Sequence, residues 1–392
     1  MERYGKMIKV LYVSPFSHIG GGEISILTVI NNLDKNRFSA SLVTYGEGPF
    51  AEMARRRGID TAVIRRSGPL SEISVITNLI AYIRQKDIDI VHVNSLDIRA
   101  GVAARLAGVP CVGHLRVIFP LTWRDRLFVR LSRVTIAVSK AAVDYFCEGA
   151  SGYGKKFIVM PNMVDVPAEV KPAPLRSEFG IPEGAPLIGM AGRMDPFKGH
   201  NVFIDAAAII KNDIPDARFF IVGGPSEGDA AEEEYFKQQK ARADSAGMGD
   251  SIVFTGFRPD ILNVIAALDV LVVPSRVIKK PRGISTEGFG RVAIEAMALG
   301  VPVVSSDAGG LKEIVRDGVS GIVVASDDPL AAARAVTGLL GDRERAAAVK
   351  SAAKRQFDEL YSLKSIEKIE ELYRNVIGRG GCRKGRCPVN GR

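Results

Sequence analysis

Residues 8–25 read IKVLYVSPFSHIGGGEIS, and this stretch decides the fold class. The run at 8–14 is rich in β-branched residues and predicts a strand, and the apolar spacing at 23–33 predicts a helix. A strand that leads through glycines into a helix is the first half of a parallel βαβ unit. Because the glycines at 20–22 have no Cβ, a ligand can approach their backbone beside the N–H groups of the helix N-terminus. The stretch therefore predicts an α/β protein with an anion-binding loop.

The same alternation of β-branched runs and helical stretches continues along the chain, as in doubly wound parallel sheets. We predict further strands at 41–44, 62–64, 90–94, 110–114, 135–138, 157–160, 187–191, 218–222, 252–255, 270–273, 301–305 and 322–324. A proline-rich stretch at 166–174 indicates a linker, and 392 residues exceed what one core usually holds. The sequence therefore predicts an N-terminal domain at 1–168, a C-terminal domain at 169–378 and a basic, disordered tail at 379–392. The last helix, at about 361–378, can pack back on the first domain.

Composition limits the class of protein. Hydrophobic residues make up 46% of the chain and charged residues 25%, which is the balance of a globular protein and excludes collagen or disorder as the main structure. No apolar run approaches the roughly 20 residues of a membrane span, and the first residues lack a signal-peptide pattern. The few cysteines (Cys111, Cys147, Cys382 and Cys387) imply no disulfide framework. We therefore expect a cytoplasmic protein.

The charge is distributed unevenly. Residues 1–165 hold 22 Lys or Arg against 14 Asp or Glu, whereas residues 166–378 hold 26 against 30. Residues 379–392 add five basic residues and no acidic one. A basic first part and an acidic second part indicate that the two meet different partners.

Two more clusters of charged residues follow predicted strands, where parallel sheets bind their ligands. The loop GRMDPFKG at 192–199 places Arg193 and Lys198 beside the start of a helix, so together they can bind a diphosphate. The segment EGFGRVAIE at 287–295 begins and ends on glutamates, Glu287 and Glu295, about 10 Å apart at about 1.5 Å per helical residue. Carboxylates accept hydrogen bonds from sugar hydroxyls, so this pair can hold two sugar rings. Taken alone, the pair fits two ordinary glutamates on a surface helix equally well.

The chain resembles the family 4 retaining glycosyltransferases. The resemblance runs to about residue 378 and rests on these three clusters in this order, together with the segments VHVNS, AVSK, MPNMVD, FIVGG, FTGF and GVPVVSSDAGGLKEIV. It implies the GT-B fold, in which two doubly wound Rossmann-like domains face each other across a cleft. It also implies transfer of a sugar from a nucleotide-sugar donor to a glycan or lipid-linked acceptor, in the synthesis of cell-surface polysaccharide or glycolipid.

The resemblance assigns roles to individual residues. Arg193 and Lys198 would bind the donor diphosphate and stabilise its departure, Glu295 would hold the nucleotide ribose, and Glu287 would hold the hydroxyls of the transferred sugar. The predicted catalytic set is His114, Arg193, Lys198 and Glu287, and the predicted donor-binding set is Gly21, Gly22, Gly192, Phe289, Gly290, Arg291 and Glu295. His18 is the candidate on the acceptor side.

The resemblance also implies a reaction without a covalent intermediate, in which the leaving phosphate oxygen accepts the acceptor's proton. Because Arg193 and Lys198 can neutralise the charge that develops, we expect no metal cofactor. The D-x-D sequence Asp87-Ile88-Asp89 has the form of a metal site, but it precedes its strand and so lies away from the ligand end of the sheet. Cys382 and Cys387 are too few to bind zinc.

Two segments depart from the family's common pattern. Asn162-Met163 replaces the family's common Asn-Gly, and residues 276–286 form a longer and more basic loop than expected, with Lys279, Lys280 and Arg282. Both departures bear on donor-sugar specificity.

We interpret His92 as a core residue and His200 as a surface residue.

Other functions are open on the residues alone. A sugar-nucleotide epimerase would need acid and base groups around the sugar, for which His114 and Glu287 are the main candidates. A non-catalytic partner that binds a sugar nucleotide would be expected to have lost Arg193, Lys198 or Glu295, and all three are present. An NAD-dependent oxidoreductase is disfavoured because Ser25 stands at the third glycine of the dinucleotide fingerprint.

Residues 116–133, RVIFPLTWRDRLFVRLSR, predict an amphipathic helix that begins at about Thr122. One side would carry apolar residues and the flanks arginines, namely Trp123, Leu127, Phe128 and Leu131 against Arg124, Arg126, Arg130 and Arg133. This composition is typical of a helix that lies on an anionic membrane surface. The alternative is that the apolar side packs on the domain's own sheet.

Overall fold

The computed structural model describes residues 7–65, 71–148, 152–226 and 228–378, and the chain divides into two compact units. The first unit contains the residues up to Arg116, Leu121–Met163 and the residues from Leu363 onward. The second unit contains Val117–Pro120 and Val164–Ser362. The basic tail predicted at 379–392, with Cys382 and Cys387, lies outside the described residues.

A parallel β-sheet forms the core of the first unit. Its strands are β1 (Ile8–Ser14), β2 (Phe38–Thr44), β3 (Asp60–Val63), β4 (Ile90–Val93), β5 (Cys111–Leu115), β6 (Val134–Ala137) and β7 (Phe157–Val159). They lie in the order β3-β2-β1-β4-β5-β6-β7, and every pairing is parallel. Every residue of β4, β5 and β6 is buried, as in a sheet that is covered on both faces.

Helices connect these strands and bring polar residues to the carboxyl end of the sheet. They are α1 (Gly21–Asn32), α2 (Pro49–Arg56), α3 (Ser71–Gln85), α4 (Ile98–Ala107), α5 (Trp123–Leu131) and α6 (Lys140–Cys147). The side chains of Asp97, Thr122 and Ser139 accept hydrogen bonds from the first turns of α4, α5 and α6 and fix where these helices begin. Helix α1 begins after Gly20 with no side-chain cap.

The second unit has its own parallel sheet. Its strands are β8 (Leu187–Ala191), β9 (Arg218–Val222), β10 (Ile252–Gly256), β11 (Val270–Val273), β14 (Val303–Ser306) and β15 (Ile322–Val324), in the order β10-β9-β8-β11-β14-β15. The helices are α7 (Leu175–Glu178), α8 (His200–Asp213), α9 (Ala230–Ser245), α10 (Ile261–Ala266), α11 (Arg291–Leu299), α12 (Leu311–Ile314), α13 (Pro329–Gly341) and α14 (Arg343–Leu360). All predicted strands of both units are present, and the prediction of two doubly wound sheets is confirmed.

The long, basic loop expected at 276–286 has regular structure. This segment contains an antiparallel hairpin, β12 (Ile278–Lys280) and β13 (Gly283–Ser285). Gly283 has a φ of 142°, a backbone conformation that favours glycine, and it closes the turn. The three basic residues of the hairpin, Lys279, Lys280 and Arg282, are exposed.

One more helix, α15 (Ile366–Gly378), follows the second unit in sequence but belongs to the first. Its buried residues Ile369, Tyr373 and Val376 join the core cluster that contains Tyr12 of β1. Glu370 of α15 also accepts a hydrogen bond from the backbone N–H of Asp34 at 2.8 Å. The core of the first unit is thus completed by a helix that lies more than 300 residues away in sequence.

Candidate active site

The glycine-rich loop of the first unit lies against a group of buried polar side chains. The guanidinium of Arg116 donates to the side-chain oxygens of Asn94, at 2.6 Å, and of Asn162. Asn94 in turn donates to Glu23 Oε1 at 3.3 Å. A Cβ on Gly22 would lie 3.3 Å from Arg116 Cδ, so the loop approaches this group closely because residue 22 is glycine. The group lies at the carboxyl end of the first sheet.

Sequence reasoning missed most of this polar group. Asn94 follows β4 within VHVNS, and Asn162 lies in MPNMVD, so both belong to segments that carried the family resemblance. Each is more than 90% buried, as is Glu23. Asparagine directly after the buried strand β4 is a signal that could have identified Asn94. Asn162, which directly precedes the Met163 that departs from the family's pattern, bonds to Arg116.

His114, at the end of β5, is 3% exposed and belongs to a chain of buried side chains. Its Nδ1 lies 3.1 Å from His92 Nε2, and His92 Nδ1 lies 2.7 Å from the hydroxyl of Tyr373. That hydroxyl lies 2.9 Å from the hydroxyl of Tyr12. The prediction that His92 is a hydrogen-bonded core residue is confirmed.

Burial keeps both histidines neutral. Removal from water and, to a smaller extent, the charge of Arg116 together lower the pKa of His92 to about 3 and that of His114 well below its usual value. Among the described residues, His114 Nε2 has no hydrogen-bond partner. His114 therefore presents a neutral imidazole nitrogen that a ligand could use.

In the second unit, Lys198 and Glu287 form an ion pair at the carboxyl end of the sheet. Lys198 Nζ lies 2.7 Å from Glu287 Oε2, and the hydroxyl of Ser275 donates to the same oxygen at 3.2 Å. The side chains of Lys198 and Glu287 are 20% and 11% exposed, so the pair is largely withdrawn from water. A Cβ on Gly192 would lie 3.3 Å from Lys198 Cδ, which shows that Gly192 makes room for the lysine stem. The pair joins two of the sequence-predicted clusters.

Arg193 lies on the same loop but has different partners. Its Nη1 lies 3.4 Å from Glu232 Oε1 and its Nη2 lies 3.8 Å from Asp195 Oδ2. The second oxygen of Glu232 accepts from the backbone N–H of Ser226 at 2.7 Å, which fixes the carboxylate. Sequence reasoning did not identify Glu232, which is buried in the first turn of α9. Arg193 is 45% exposed and so can turn towards a ligand.

Helix α11 carries the other predicted carboxylate. Arg291 Nε lies 2.9 Å from Glu295 Oε1, one turn along the helix. Burial raises the pKa of Glu295, and the Arg291 charge and hydrogen bond oppose that rise. Gly290 directly precedes the helix and has a φ of 100°. A Cβ on Gly290 would lie 2.4 Å from the side chain of Leu311, so this position needs glycine. The Phe289 ring is buried against Tyr361, which leaves its backbone as the part a ligand can contact.

The other two histidines lie in different surroundings. His18 is exposed in the glycine-rich loop, beside the ring of Phe16 at 5.3 Å. The prediction that His200 lies on the surface is wrong, because the first turn of α8 faces the core and His200 is fully buried against Tyr235. Neither ring nitrogen of His200 has a partner in the described part of the chain, and burial lowers its pKa to about 3.

Neither end of the D-x-D segment lies near these clusters. Asp89 Oδ2 accepts from the backbone N–H of Lys9 at 3.0 Å, at the amino end of β1. Across the described ranges, no three His, Cys, Asp or Glu side chains come together as metal ligands would. Cys111 is a buried free thiol whose pKa burial raises to about 12.

Helix α5 does not present the predicted apolar side as one surface. Phe128 is fully buried, and a Cβ on Gly101 or Gly113 would lie within 3 Å of its ring, so Phe128 belongs to the core. Trp123 and Leu127 are 68% and 37% exposed. The helix therefore divides its apolar residues between the sheet and solvent. In the residues that the structure covers, no helix is long and apolar enough to cross a membrane.

Comparison with solved structures establishes the class of fold. The chain superposes on Anabaena Alr3699/HepE in complex with UDP-glucose with a TM-score of 0.81 and 25% identity, over 94% of this chain and all of that one. A glycosyltransferase from Rickettsia africae gives a TM-score of 0.80 at 19% identity, over 95% and 99% of the two chains. The two doubly wound sheets are those of the GT-B fold.

Family comparison then identifies the protein's relatives. Residues 19–167 match the family described as Glycosyltransferase Family 4, and residues 173–356 match Glycosyl transferases group 1. The chain belongs to glycosyltransferase family 4.

Curated relatives match over different lengths. A D-inositol 3-phosphate glycosyltransferase of Corynebacterium urealyticum is 34% identical over 205 residues, which are 51% of this chain and 46% of that protein, so the match spans about half of each. The 2-deoxystreptamine N-acetyl-D-glucosaminyltransferase of Streptomyces fradiae is 27% identical over 95% of this chain and 98% of that one.

Proposed function

We propose that this protein is a retaining glycosyltransferase that transfers a hexosyl group from a nucleotide-sugar donor to a glycan or lipid-linked acceptor, in the synthesis of cell-surface polysaccharide or glycolipid. The observation that carries the proposal is the Lys198–Glu287 ion pair at the carboxyl end of the second sheet. Glu287 lies four residues before Arg291, the first residue of α11. A cation, a carboxylate and a helix N-terminus together suit a ligand that has both a diphosphate and sugar hydroxyls.

In this proposal, Lys198 and Arg193 bind the donor diphosphate. The bond between the anomeric carbon and the phosphate oxygen breaks, and the acceptor oxygen bonds to that carbon on the same face. The acceptor's proton passes to the leaving phosphate oxygen. Negative charge therefore develops on the diphosphate, where cations and backbone N–H groups stabilise it. A donor phosphate that replaced Glu287 as the partner of Lys198 would leave the Glu287 carboxylate available to the sugar hydroxyls.

The remaining site residues divide between donor and acceptor. We assign Glu295 to the ribose hydroxyls, the backbone of Phe289 and Gly290 to the diphosphate, and His114 to the transferred sugar. Gly21 and Gly22 bring the backbone of the first unit close to ligand. His18, which is exposed in the same loop, is our candidate for contact with the acceptor.

We also propose that the reaction needs no metal ion. Lys198 and Arg193 offer two positive charges to a diphosphate, which is the role a divalent cation would otherwise have. Activity measured with excess EDTA should equal activity with added Mg²⁺. Complete loss in EDTA that Mg²⁺ or Mn²⁺ restores would contradict this.

The proposal is tested first by donor binding. Thermal unfolding is measured with UDP-, GDP-, ADP- and dTDP-sugars, starting with UDP-glucose because a structural neighbour binds it. A ligand at about 100 times its Kd adds about 2.7 kcal/mol of stability and raises Tm visibly. The best donor is then assayed for release of nucleoside diphosphate with an inositol phosphate, an aminocyclitol and a lipid-linked sugar as acceptors.

The products separate the alternative functions. An α-linked product from an α-linked donor supports a retaining transferase, and an inverted linkage refutes the retaining assignment. Formation of an epimeric sugar nucleotide without acceptor indicates an epimerase. Donor binding with no turnover in any acceptor indicates a non-catalytic binding partner.

We further propose that helix α5 holds the protein at an anionic membrane surface, where a lipid-linked acceptor is presented. Trp123 and Leu127 are exposed, and Arg124, Arg130 and Arg133 around them are exposed as well. Each basic residue near an anionic surface contributes about 1 kcal/mol, so three suffice for reversible attachment.

Flotation with anionic and zwitterionic vesicles tests the attachment, with the chain truncated after Gly378 to remove the basic tail. We expect binding to anionic vesicles at low salt only, and loss of binding on Trp123→Ala. Phe257→Ala, which removes an exposed aromatic ring from the second unit, is the control and should bind as the wild type does. Absence of binding to both vesicle types would leave a water-soluble acceptor.

A further inference from the structure

A continuous line of hydrogen-bonding groups runs through the buried core of the first unit, from Tyr12 to His114. The hydroxyls of Tyr12 and Tyr373 are 2.9 Å apart, Tyr373 bonds to Nδ1 of His92 at 2.7 Å, and His92 Nε2 faces His114 Nδ1 at 3.1 Å. Tyr12, Tyr373 and His92 are 0% exposed and His114 is 3% exposed. The line ends at His114 Nε2, which has no partner among the described residues.

Counting hydrogens leaves two possible arrangements. Each tyrosine has one hydroxyl hydrogen and each neutral histidine has one ring hydrogen, so four hydrogens serve three internal bonds. In the outward arrangement, every hydrogen points towards His114: Tyr12 donates to Tyr373, Tyr373 to His92 Nδ1, and His92 Nε2–H to His114 Nδ1. His114 then carries its own hydrogen on Nε2. In the inward arrangement, every donor is reversed and the Tyr12 hydroxyl hydrogen points beyond the line.

The two arrangements differ in what a ligand can complete. The outward arrangement has a single unmatched donor, His114 Nε2–H, at the ligand end of the sheet, and an oxygen of a water molecule or of a bound ligand would satisfy it. The inward arrangement leaves the Tyr12 hydroxyl hydrogen without an acceptor in the described chain, and no ligand at His114 can change that. A buried donor without an acceptor destabilises the folded state. Only the outward arrangement can therefore become fully satisfied.

We propose that His92 is a positioning residue that fixes His114 in its Nε2–H form, so that His114 is a hydrogen-bond donor to ligand oxygen and not a base. Tyr373 of α15 fixes His92 in turn by donating to its Nδ1. The assignment of the ligand as a nucleotide sugar rests on the proposed function, whereas the proton arrangement rests on the structure of the first unit alone.

The first test uses the ligand-free protein. The full chain is labelled with ¹⁵N-histidine, and long-range ¹H–¹⁵N correlation spectra at pH 7 distinguish the two neutral forms of each ring. The chain has four histidines, and exposed His18 serves as the reference for an unconstrained ring. We expect His92 and His114 both as Nε2–H forms. An Nδ1–H form or a cation at His114 overturns the proposal, whatever the enzyme activity is.

The second test compares two replacements of His92 with similar size. In His92→Gln, the amide N–H group can take the place of Nε2–H and still donate to His114, so the Nε2–H signal of His114 should persist with kcat within about threefold of wild type. In His92→Leu, the donor is absent, so His114 should show both forms and kcat should fall roughly tenfold with little change in donor KM. Circular dichroism and Tm confirm folding of both variants. Equal tautomer spectra and equal kcat in the two variants would also overturn the proposal.

Discussion

Replacing Lys198 by methionine separates its two expected contributions, one to the folded state and one to the reaction. The change keeps an unbranched stem against Gly192 and removes the charge. Glu287 then keeps only the hydroxyl of Ser275 as a hydrogen-bond partner among the contacts described. Its side chain is 11% exposed, so water compensates little for the missing cation.

The magnitudes follow from this burial. Breaking a fully buried ion pair costs about 3–5 kcal/mol, and the 20% exposure of Lys198 reduces the expected loss to about 2 kcal/mol. Loss of a cation that stabilises the leaving diphosphate should lower kcat/KM by roughly 10²–10³, or about 2.7–4 kcal/mol. The double variant Lys198→Met/Glu287→Gln removes the unpaired charge, so its stability should return to within about 1 kcal/mol of wild type while activity stays low.

Urea unfolding and steady-state kinetics measure the two contributions on the same proteins. The control is Lys354→Met, because Lys354 forms an ion pair with Asp358 at 3.5 Å but is 49% exposed. It should change stability by less than about 0.5 kcal/mol and leave kcat/KM unaltered. If the double variant is as unstable as Lys198→Met, the two side chains are not coupled. If Lys198→Met turns over within about threefold of wild type, Lys198 is not part of the leaving-group site.

Arg193→Ala should also lower kcat/KM by roughly 10²–10³, but with less loss of stability because Arg193 is 45% exposed; near-wild-type kinetics would remove it from the site. Glu295→Gln should weaken donor binding by isothermal calorimetry, whereas unchanged Kd would remove Glu295 from the ribose site. The same variant should alter the pH dependence of stability. Burial raises the pKa of Glu295, so its contribution to stability is present at acid pH and is lost as pH rises through the raised value. The glutamine variant should therefore gain stability relative to wild type as the pH rises above 4.5 in urea titrations, and a constant difference would contradict the raised pKa. Tyr373→Phe should lower the free energy of unfolding by about 1–3 kcal/mol, because the Tyr12 hydroxyl and the His92 ring each lose a buried hydrogen-bond partner, and an unchanged urea midpoint would contradict this.

The strands were predictable because burial on both faces of a parallel sheet selects runs of β-branched residues. Strands β1, β8, β9, β11 and β15 have the predicted bounds at both ends. The β12–β13 hairpin escaped prediction because its strands have three residues each and carry lysines and glycines, so they have no apolar alternation. Its existence depends on the pairing of one short strand with the other.

The sequence predicted which charged clusters form the site, but not which side chains within them pair with each other. Lys198 and Glu287 are 89 residues apart, and only their shared position after parallel strands indicated that they would meet. His200 shows the limit of such reasoning. It follows a charged loop and so has the local sequence of a surface residue, yet the direction of the first turn of α8 buries it against Tyr235. Which side of a helix faces the core is set by tertiary packing, and one residue at a helix start gives no periodicity to detect.

The position of α15 has a consequence for how the protein is made. The ribosome synthesises Tyr12 361 residues before Tyr373, so the strands of the first unit are made long before the helix that completes the core around Tyr12. The second unit lies almost entirely within Val164–Ser362 and can bury its own core as soon as that segment emerges. The half of the chain that is translated first is therefore the last to reach its native structure. The entropic cost of bringing α15 back to β1 grows only with the logarithm of the number of residues between them. The late completion of the first unit therefore comes mainly from the order in which the chain is synthesised, and less from the free energy of docking α15.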